Sequence, residues 1–304
     1  MIPVEHIIDI DGADYYIHKK NGCFIIEKDG NIIYSVHPSD VSALLLHGNQ
    51  HNISTAILSE CASNNIPVII CNSFHIPSGM FLPFNTHSKA AERAMIQIQA
   101  SKPCKKQIWQ KIIKEKLSNQ AALLDYIGCQ EESKKIRCLI NRVHSGDSGN
   151  CEAQGARLYF KGLFGKGFKR GNEDIVNIIL NYLYTIIRSC IAREIVGAGL
   201  NPIFSIFHSN KTNAFALVDD LIEPFRPLAD RYALLILEKI DSESKLTPAI
   251  KKLCISINSH KMIFMQQYQD FHIAIQNYIY SFISALNKEA SLLDIPKFTY
   301  DFSL

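Results

Sequence analysis

The sequence predicts an α+β protein. A small, N-terminal, β-rich and sandwich-like domain covers residues 1–84, and a larger all-helical domain covers 85–304. Turn dipeptides recur about every nine residues near the N-terminus, the spacing of short hairpins. From His87 onward the hydrophobic period changes from that of strands to that of helices. The length of 304 residues leaves room for two domains and a sizeable core.

In the first domain, Asp11-Gly12, Asn21-Gly22 and Asp29-Gly30 mark turns. Alternating runs such as Tyr15-Tyr16-Ile17-His18 and Phe24-Ile25-Ile26 lie between them. Val41 to His47 reads as a further strand, Asn52 to Ser63 as one short helix, and Ile66 to Cys71 as a strand. The Pro- and Gly-punctuated stretch from Ile76 to Phe84 closes the domain.

In the second domain, Lys89 to Ser101 is amphipathic and stops before Lys102-Pro103. Ile108 to Tyr126 carries Ile108, Ile112, Leu117, Ala121 and Leu124 on one side and Lys106, Lys111, Lys114 and Lys116 on others. Glu131 to Val143 is a third helix. Asn150, at the end of a polar loop, is placed to cap the helix that opens at Cys151. Glu152 falls in the first turn of that helix, where the macrodipole favours an anion, on the same face as Ala156, Tyr159 and Leu163. Gly162 to Gly171 is too rich in glycine for an ordered helix and reads as a mobile loop carrying Lys166, Lys169 and Arg170. Asn172 caps a long helix reaching about Val196. That run is the most apolar of the chain, yet it contains Asn177, Asn181, Arg188, Arg193 and Glu194, and reads as a buried helix, not a membrane span. Three or four further helices follow from Arg231 to Leu293.

Composition sets outer bounds. Hydrophobic residues make up 47% and charged residues 20%, as in ordinary folded proteins. The nine Cys form no C-x-x-C pair and several sit in apolar runs, which points to reduced thiols in a cytoplasmic protein. The N-terminus is unlike a signal peptide. Residues 1–86 hold three Lys/Arg against eight Asp/Glu, and the remainder 29 against 21, so a polyanionic partner would prefer the second domain.

The stretch from His208 to Pro227 carries the chemistry. As a helix it puts Ala214, Leu217, Val218, Leu221, Ile222, Phe225 and Leu228 on one apolar face, with Asp220 and Glu223 together on the other. Two neighbouring carboxylates repel unless a cation or a proton lies between them. With the His208 imidazole they suit a divalent ion such as Mg²⁺ or Mn²⁺. Pro224 and Pro227 require a kink here or a restart near Glu223.

Four stretches occur in order: Glu152-Ala-x-x-Ala156-Arg157-x-Tyr159-Phe160, Asn177-x-x-Leu180-Asn181-Tyr182-x-Tyr184, Ala198-Gly199-Leu200-Asn-Pro202 leading to Phe207-His208, and Asp220-Leu-Ile-Glu223-Pro-Phe225-Arg226-Pro227. Together they resemble the CRISPR-associated integrase, the metal-dependent nuclease subunit of the spacer-acquisition complex. The Glu-Pro-Phe-Arg-Pro wording is similar to the type II branch. The resemblance implies Glu152, His208 and Glu223 as catalytic metal ligands for Mg²⁺ or Mn²⁺, with Asp220 in support, and phosphodiester transesterification by a 3′-hydroxyl. It further implies a dimerising N-terminal domain, a homodimer, and two dimers bridged by a small partner protein into a heterohexamer. Prespacer DNA and the CRISPR repeat would be the substrates, with no membrane. Lys166, Lys169, Arg170 and Arg226 would hold DNA phosphates without reading sequence. A non-catalytic nucleic-acid scaffold of the same fold and an unrelated helical metallohydrolase for small phosphate esters are the alternatives.

Overall fold

The computed structural model describes residues 6–48, 50–72, 77–83, 87–208, 212–240, 245–287 and 290–304. The expected domain boundary at 84/85, the first five residues and the start of the polar loop after His208 lie outside the described residues.

The N-terminal part is two four-stranded sheets face to face. Its strands are β1 (His6–Ile10), β2 (Tyr15–Lys20), β3 (Cys23–Lys28), β4 (Asn31–Val36), β5 (Val41–His47), β6 (Asn52–Ile53), β7 (Val68–Cys71) and β8 (Pro77–Phe81), with helix α1 (Thr55–Ser63) before β7. One sheet has the order β1-β5-β7-β8 and the other β4-β3-β2-β6. Asn21-Gly22 and Asp29-Gly30 form the two tight hairpins of β2-β3-β4, each with both residues at positive φ, as a two-residue turn matched to sheet twist requires. Asp11-Gly12 behaves differently. β1 pairs with β5 in parallel and not with β2, so this turn carries the chain from one sheet to the other. Asn52 and Ile53 extend beside β2 instead of opening α1.

Strand β5 is buried along its whole length, because its sheet is covered on both faces. Ile8, Leu44, Leu46 and Val68 face the other sheet, while Ile7, Ala43, Leu45 and Ile69 join the core of the helical part. The two parts are also joined by polar contacts. Asp9 on β1 accepts the Tyr182 hydroxyl, and pairs with His47 (3.1 Å) and with Lys251 (3.3 Å). A buried carboxylate met by a hydroxyl, an imidazole and an ammonium is compensated in place and fixes how the sheet sits on the helices.

The helices are α2 (Ala90–Gln99), α3 (Lys102–Tyr126), α4 (Gln130–Ile140), α5 (Cys151–Phe164), α6 (Ile175–Gly197), α7 (Ala216–Leu221), α8 (Arg226–Leu237), α9 (Pro248–Ile255) and α10 (Phe271–Asn287). Helix α6 is long and apolar enough to cross a membrane by composition, yet it lies at the centre of the helical core. The stretch from Arg231 to Leu293, expected to hold three or four helices and no strand, also contains a hairpin, β9 (Lys261–Phe264) and β10 (Gln267–Asp270). Its turn residues Met265 and Gln266 both take positive φ without being glycine, so no dipeptide signal announces it.

Candidate metal and phosphate site

Helix α5 places Glu152, and the loop before it is wound to do so. Gly146 and Asp147 both take positive φ, which brings the Asp147 carboxylate under the helix N-terminus. There it accepts the Cys151 N–H (2.9 Å) and the Glu152 N–H (3.0 Å). Asp147 is therefore the capping side chain expected at Asn150, which itself lies in the left-handed region without a capping bond. Likewise Asp174, not Asn172, caps α6 by accepting the Asn177 N–H (2.8 Å). Gly155 is buried one turn on from Glu152, and a Cβ there would come within 2.2 Å of Leu117 Cδ2. The glycine that weakens α5 locally is what lets it lie close against α3.

Glu223 is placed by the two prolines. Helix α7 stops at Leu221, a 3₁₀ turn covers Glu223–Phe225 with Pro224 at its start, and α8 begins at Arg226 with Pro227 in its first turn. The helix restarts, and Asp220 and Glu223 are both buried instead of lining a solvated face.

Between Glu152 and Glu223 lies Lys116 of α3, a residue the helical pattern counts among the solvated lysines. It is 6% exposed. Its ammonium donates to Glu152 Oε1 at 2.7 Å and forms an ion pair with Glu223 Oε2. The other Glu223 oxygen accepts Arg226 Nε at 2.8 Å. Burial pushes the Glu223 carboxyl up, but Arg226 and Lys116 outweigh it and bring it down to about 2. Burial alone would lower the Lys116 pKa; the two carboxylates raise it instead.

His208 is held by Asp220. The Asp220 carboxylate accepts the backbone N–H groups of Ile206 (2.7 Å), Phe207 (3.1 Å) and His208 (3.1 Å), and pairs with His208 Nδ1 at 2.6 Å. Both oxygens are thus committed to shaping the loop and orienting the ring, which leaves Nε2 as the imidazole nitrogen for a ligand. The Asp220 hydrogen bond raises the His208 pKa, burial opposes it, and the charges of Glu223 and Glu152 add to the rise. Trp109, the chain's one tryptophan, backs the loop. It stacks on Phe207 at 4.3 Å and meets the His208 ring edge-on at 5.4 Å. Asp219 pairs with Arg188 through two bonds of 2.8 and 3.1 Å.

The four residues singled out in the sequence thus gather around one spot: Glu152 and Glu223 on a shared ammonium, His208 within reach of both charges, and Asp220 behind it. Among the described residues, no three His, Cys, Asp or Glu side chains stand close enough together to ligate one ion as placed. The Lys116 ammonium fills the space between the two carboxylates.

A cleft of 530 Å³ opens beside them, lined by His208, Glu223, Tyr184, Arg170, Arg188 and Arg226 among others. Arg170 and Arg226 both lie over the Tyr184 ring, at 5.3 and 4.7 Å from its centroid. Arg170 also donates to Asn177 Oδ1 and to Asn181 Oδ1 (2.9 Å). The two asparagines, four apart on one face of α6, hold this guanidinium without neutralising it. Lys166 and Lys169 are exposed on the neighbouring loop, which α5 shortens by running to Phe164.

Tyr184 is anchored below by Asp230, which is 1% exposed and accepts the Tyr184 hydroxyl and, at 2.7 Å, the Tyr159 hydroxyl. Burial raises the Asp230 carboxyl from 3.8 to about 6, despite those two bonds. A carboxyl whose pKa is higher in the folded state stabilises the fold fully below its free value, and that contribution is lost as pH rises through about 6. Asp230→Asn is therefore expected to gain stability over wild type between pH 4 and 7, on the order of 2–3 kcal/mol. Urea denaturation at both pH values measures it, and an unchanged difference would refute the assignment.

A model of the family described as CRISPR associated protein Cas1 matches residues 8–270 of this sequence. This chain belongs to the Cas1 family. It is 33% identical over 274 residues to the CRISPR-associated endonuclease Cas1 of Neisseria meningitidis serogroup C, covering 90% of each chain. It is 26% identical over 246 residues to a second such endonuclease from Saccharolobus solfataricus, covering 76% of this chain and 74% of that one. Among solved structures, a casposase bound to integration product superposes with a TM-score of 0.78 at 16% identity, over 97% of this chain and 92% of that one. A Cas1 protein from Thermotoga maritima gives 0.76 at 13% identity, over 93% and 98%. A Cas6-RT-Cas1--Cas2 complex gives 0.80 at 19% identity over 99% of this chain, which spans 36% of that longer chain. These likenesses confirm the Cas1 fold, a β-rich N-terminal part followed by a helical one. Lys116, Trp109, Asp147 and Asp230 were not singled out in the sequence as parts of the site. Each is an ordinary helix or loop residue until distant segments pack against it.

Proposed function

We propose that this Cas1-family chain is a metal-dependent DNA endonuclease and integrase that inserts short foreign DNA fragments into a CRISPR array. The observation that carries the reading is the pair of carboxylates, Glu152 and Glu223, turned onto one buried positive charge beside the His208 ring. The donor set fits a divalent ion: Glu223 stays ionised down to about pH 2, and Asp220 fixes His208 with Nε2 outward. Glu152, Glu223 and His208 would hold Mg²⁺ or Mn²⁺, the imidazole suiting Mn²⁺ somewhat better. The ion when bound would supply Lewis-acid charge at a phosphodiester.

The remaining work falls to the protein. Arg170 and Arg226, spread on Tyr184, present guanidinium edges to a phosphate, and Lys166 and Lys169 extend that positive surface along a strand. Because these groups meet phosphates and not base edges, they position DNA without selecting its sequence. Exposed Ile32, Ile33 and Tyr34 on edge strand β4, with Tyr16, form an apolar surface suited to a homodimer contact. A bridging protein of the kind named in the Cas1–Cas2 structures, two dimers to a heterohexamer, completes the proposal. None of the nine cysteines is in a disulfide, which suits a reducing cytoplasm.

Metal removal tests this reading. Joining of a short duplex with free 3′-hydroxyls to a supercoiled plasmid is expected to stop in EDTA and to return with Mn²⁺. Joining that persists in EDTA would overturn it.

A further inference from the structure

The site as folded is already charge-balanced. Glu152 and Glu223 contribute two negative charges, and Lys116 and Arg226 contribute two positive ones within contact distance. Lys116 is buried on α3, and its ammonium touches one oxygen of each carboxylate that would ligate the ion. Two like cations cannot share those oxygens in a dry pocket without strong repulsion.

We propose that Lys116 is a resident counter-cation of the metal site, and that its ammonium and the divalent ion bind the Glu152–Glu223 pair in mutually exclusive fashion. This rests on the metal-site reading above. In the metal-free protein Lys116 keeps two buried carboxylates ionised, paired and aimed at one point, so the ligands are preorganised at no cost in unpaired charge. Ion binding then requires the Lys116 side chain to swing out from between them. Its flexible four-carbon stem permits this where a rigid guanidinium would not. The displaced ammonium is delivered to the edge of the same site, where an incoming phosphate carries the complementary charge. Lys116 is thus a positioning residue that lowers affinity for the free ion and couples ion binding to the arrival of DNA.

The test measures metal affinity, not turnover. Mn²⁺ titration by calorimetry on the full chain without DNA is expected to show tighter binding for Lys116→Met than for wild type, on the order of tenfold. The metal-free variant is expected to melt lower, and to be stabilised more by saturating Mn²⁺. A residue that merely supports the fold would lower both melting and affinity. Lys116→Gln, neutral and hydrogen-bonding, is the second variant should Met prevent folding. On wild type, mass spectrometry after brief amine acylation is expected to show Lys116 protected without metal and modified at saturating Mn²⁺. Equal or weaker Mn²⁺ binding by the neutral variants, or acylation that ignores Mn²⁺, would overturn the inference. If wild type and Glu223→Gln bind Mn²⁺ equally, the metal-site reading itself fails and this inference falls with it. If Glu223→Gln loses tight Mn²⁺ binding but the Lys116 variants bind as wild type does, the metal site stands and the competition alone is refuted.

Discussion

Glu223→Gln is expected to lower strand joining by on the order of a hundredfold to a thousandfold while DNA binding stays within a few-fold of wild type. Both Glu223 oxygens are engaged, one by Lys116 and one by Arg226, in a pocket where the carboxylate is 4% exposed. The amide keeps the shape and removes the charge. Lys116 then shares Glu152 alone, Arg226 loses its anion, and a stability cost of about 3 kcal/mol accompanies the lost joining, as when one partner of a buried pair is removed. Joining of a short duplex to a supercoiled target, read beside filter binding and a melting curve, separates the outcomes. Undiminished joining would remove Glu223 from the site. Lost joining with intact DNA binding would exclude a pure scaffold. Turnover of small phosphate esters without DNA cutting would favour the metallohydrolase alternative.

Trp109→Ala is expected to cost about 3–5 kcal/mol of stability, the range for truncating a large buried aromatic. Trp109 has no exposure, and its ring carries Phe207 flat against it and His208 edge-on. The loop from Ile206 to His208 would then be held by Asp220 and by the Ser205 hydroxyl, which donates to the His208 carbonyl. Joining should fall further than the lost stability explains, because the imidazole is no longer held to one orientation. Denaturant melts give the first quantity and joining rates at a temperature where the variant is folded give the second. A loss below about 1 kcal/mol would contradict the packing described.

What was legible in the sequence follows from the range of the forces involved. The hairpins at Asn21-Gly22 and Asp29-Gly30 were readable because a two-residue turn is decided by its own backbone. The same dipeptide signal at Asp11-Gly12 misled, since whether a turn joins neighbours or crosses between sheets depends on strands far along the chain. The Met265-Gln266 turn was invisible for the converse reason: residues without turn preference are held in the left-handed region by the β9–β10 pairing that the turn has to close. Pro224 and Pro227 correctly marked the restart at Glu223. That Glu152 and Glu223 lie on one ammonium, with His208 near their charges, could not be read from periodicity; only the order of motifs that resembles the family put the three together. Lys116 escaped altogether. On α3 it looks like its solvated neighbours, and only two carboxylates from segments 36 and 107 positions further on bury it.

The proposed activity requires Glu152, Glu223 and His208 to converge on one divalent ion. Crystals soaked in Mn²⁺ and measured at the manganese absorption edge test it most directly. A single anomalous peak is expected, bounded by one oxygen each of Glu152 and Glu223 and by His208 Nε2, at about 2.0–2.3 Å from each, with Lys116 turned away. A peak elsewhere, or an occupied site from which any of these three side chains is absent, would contradict it.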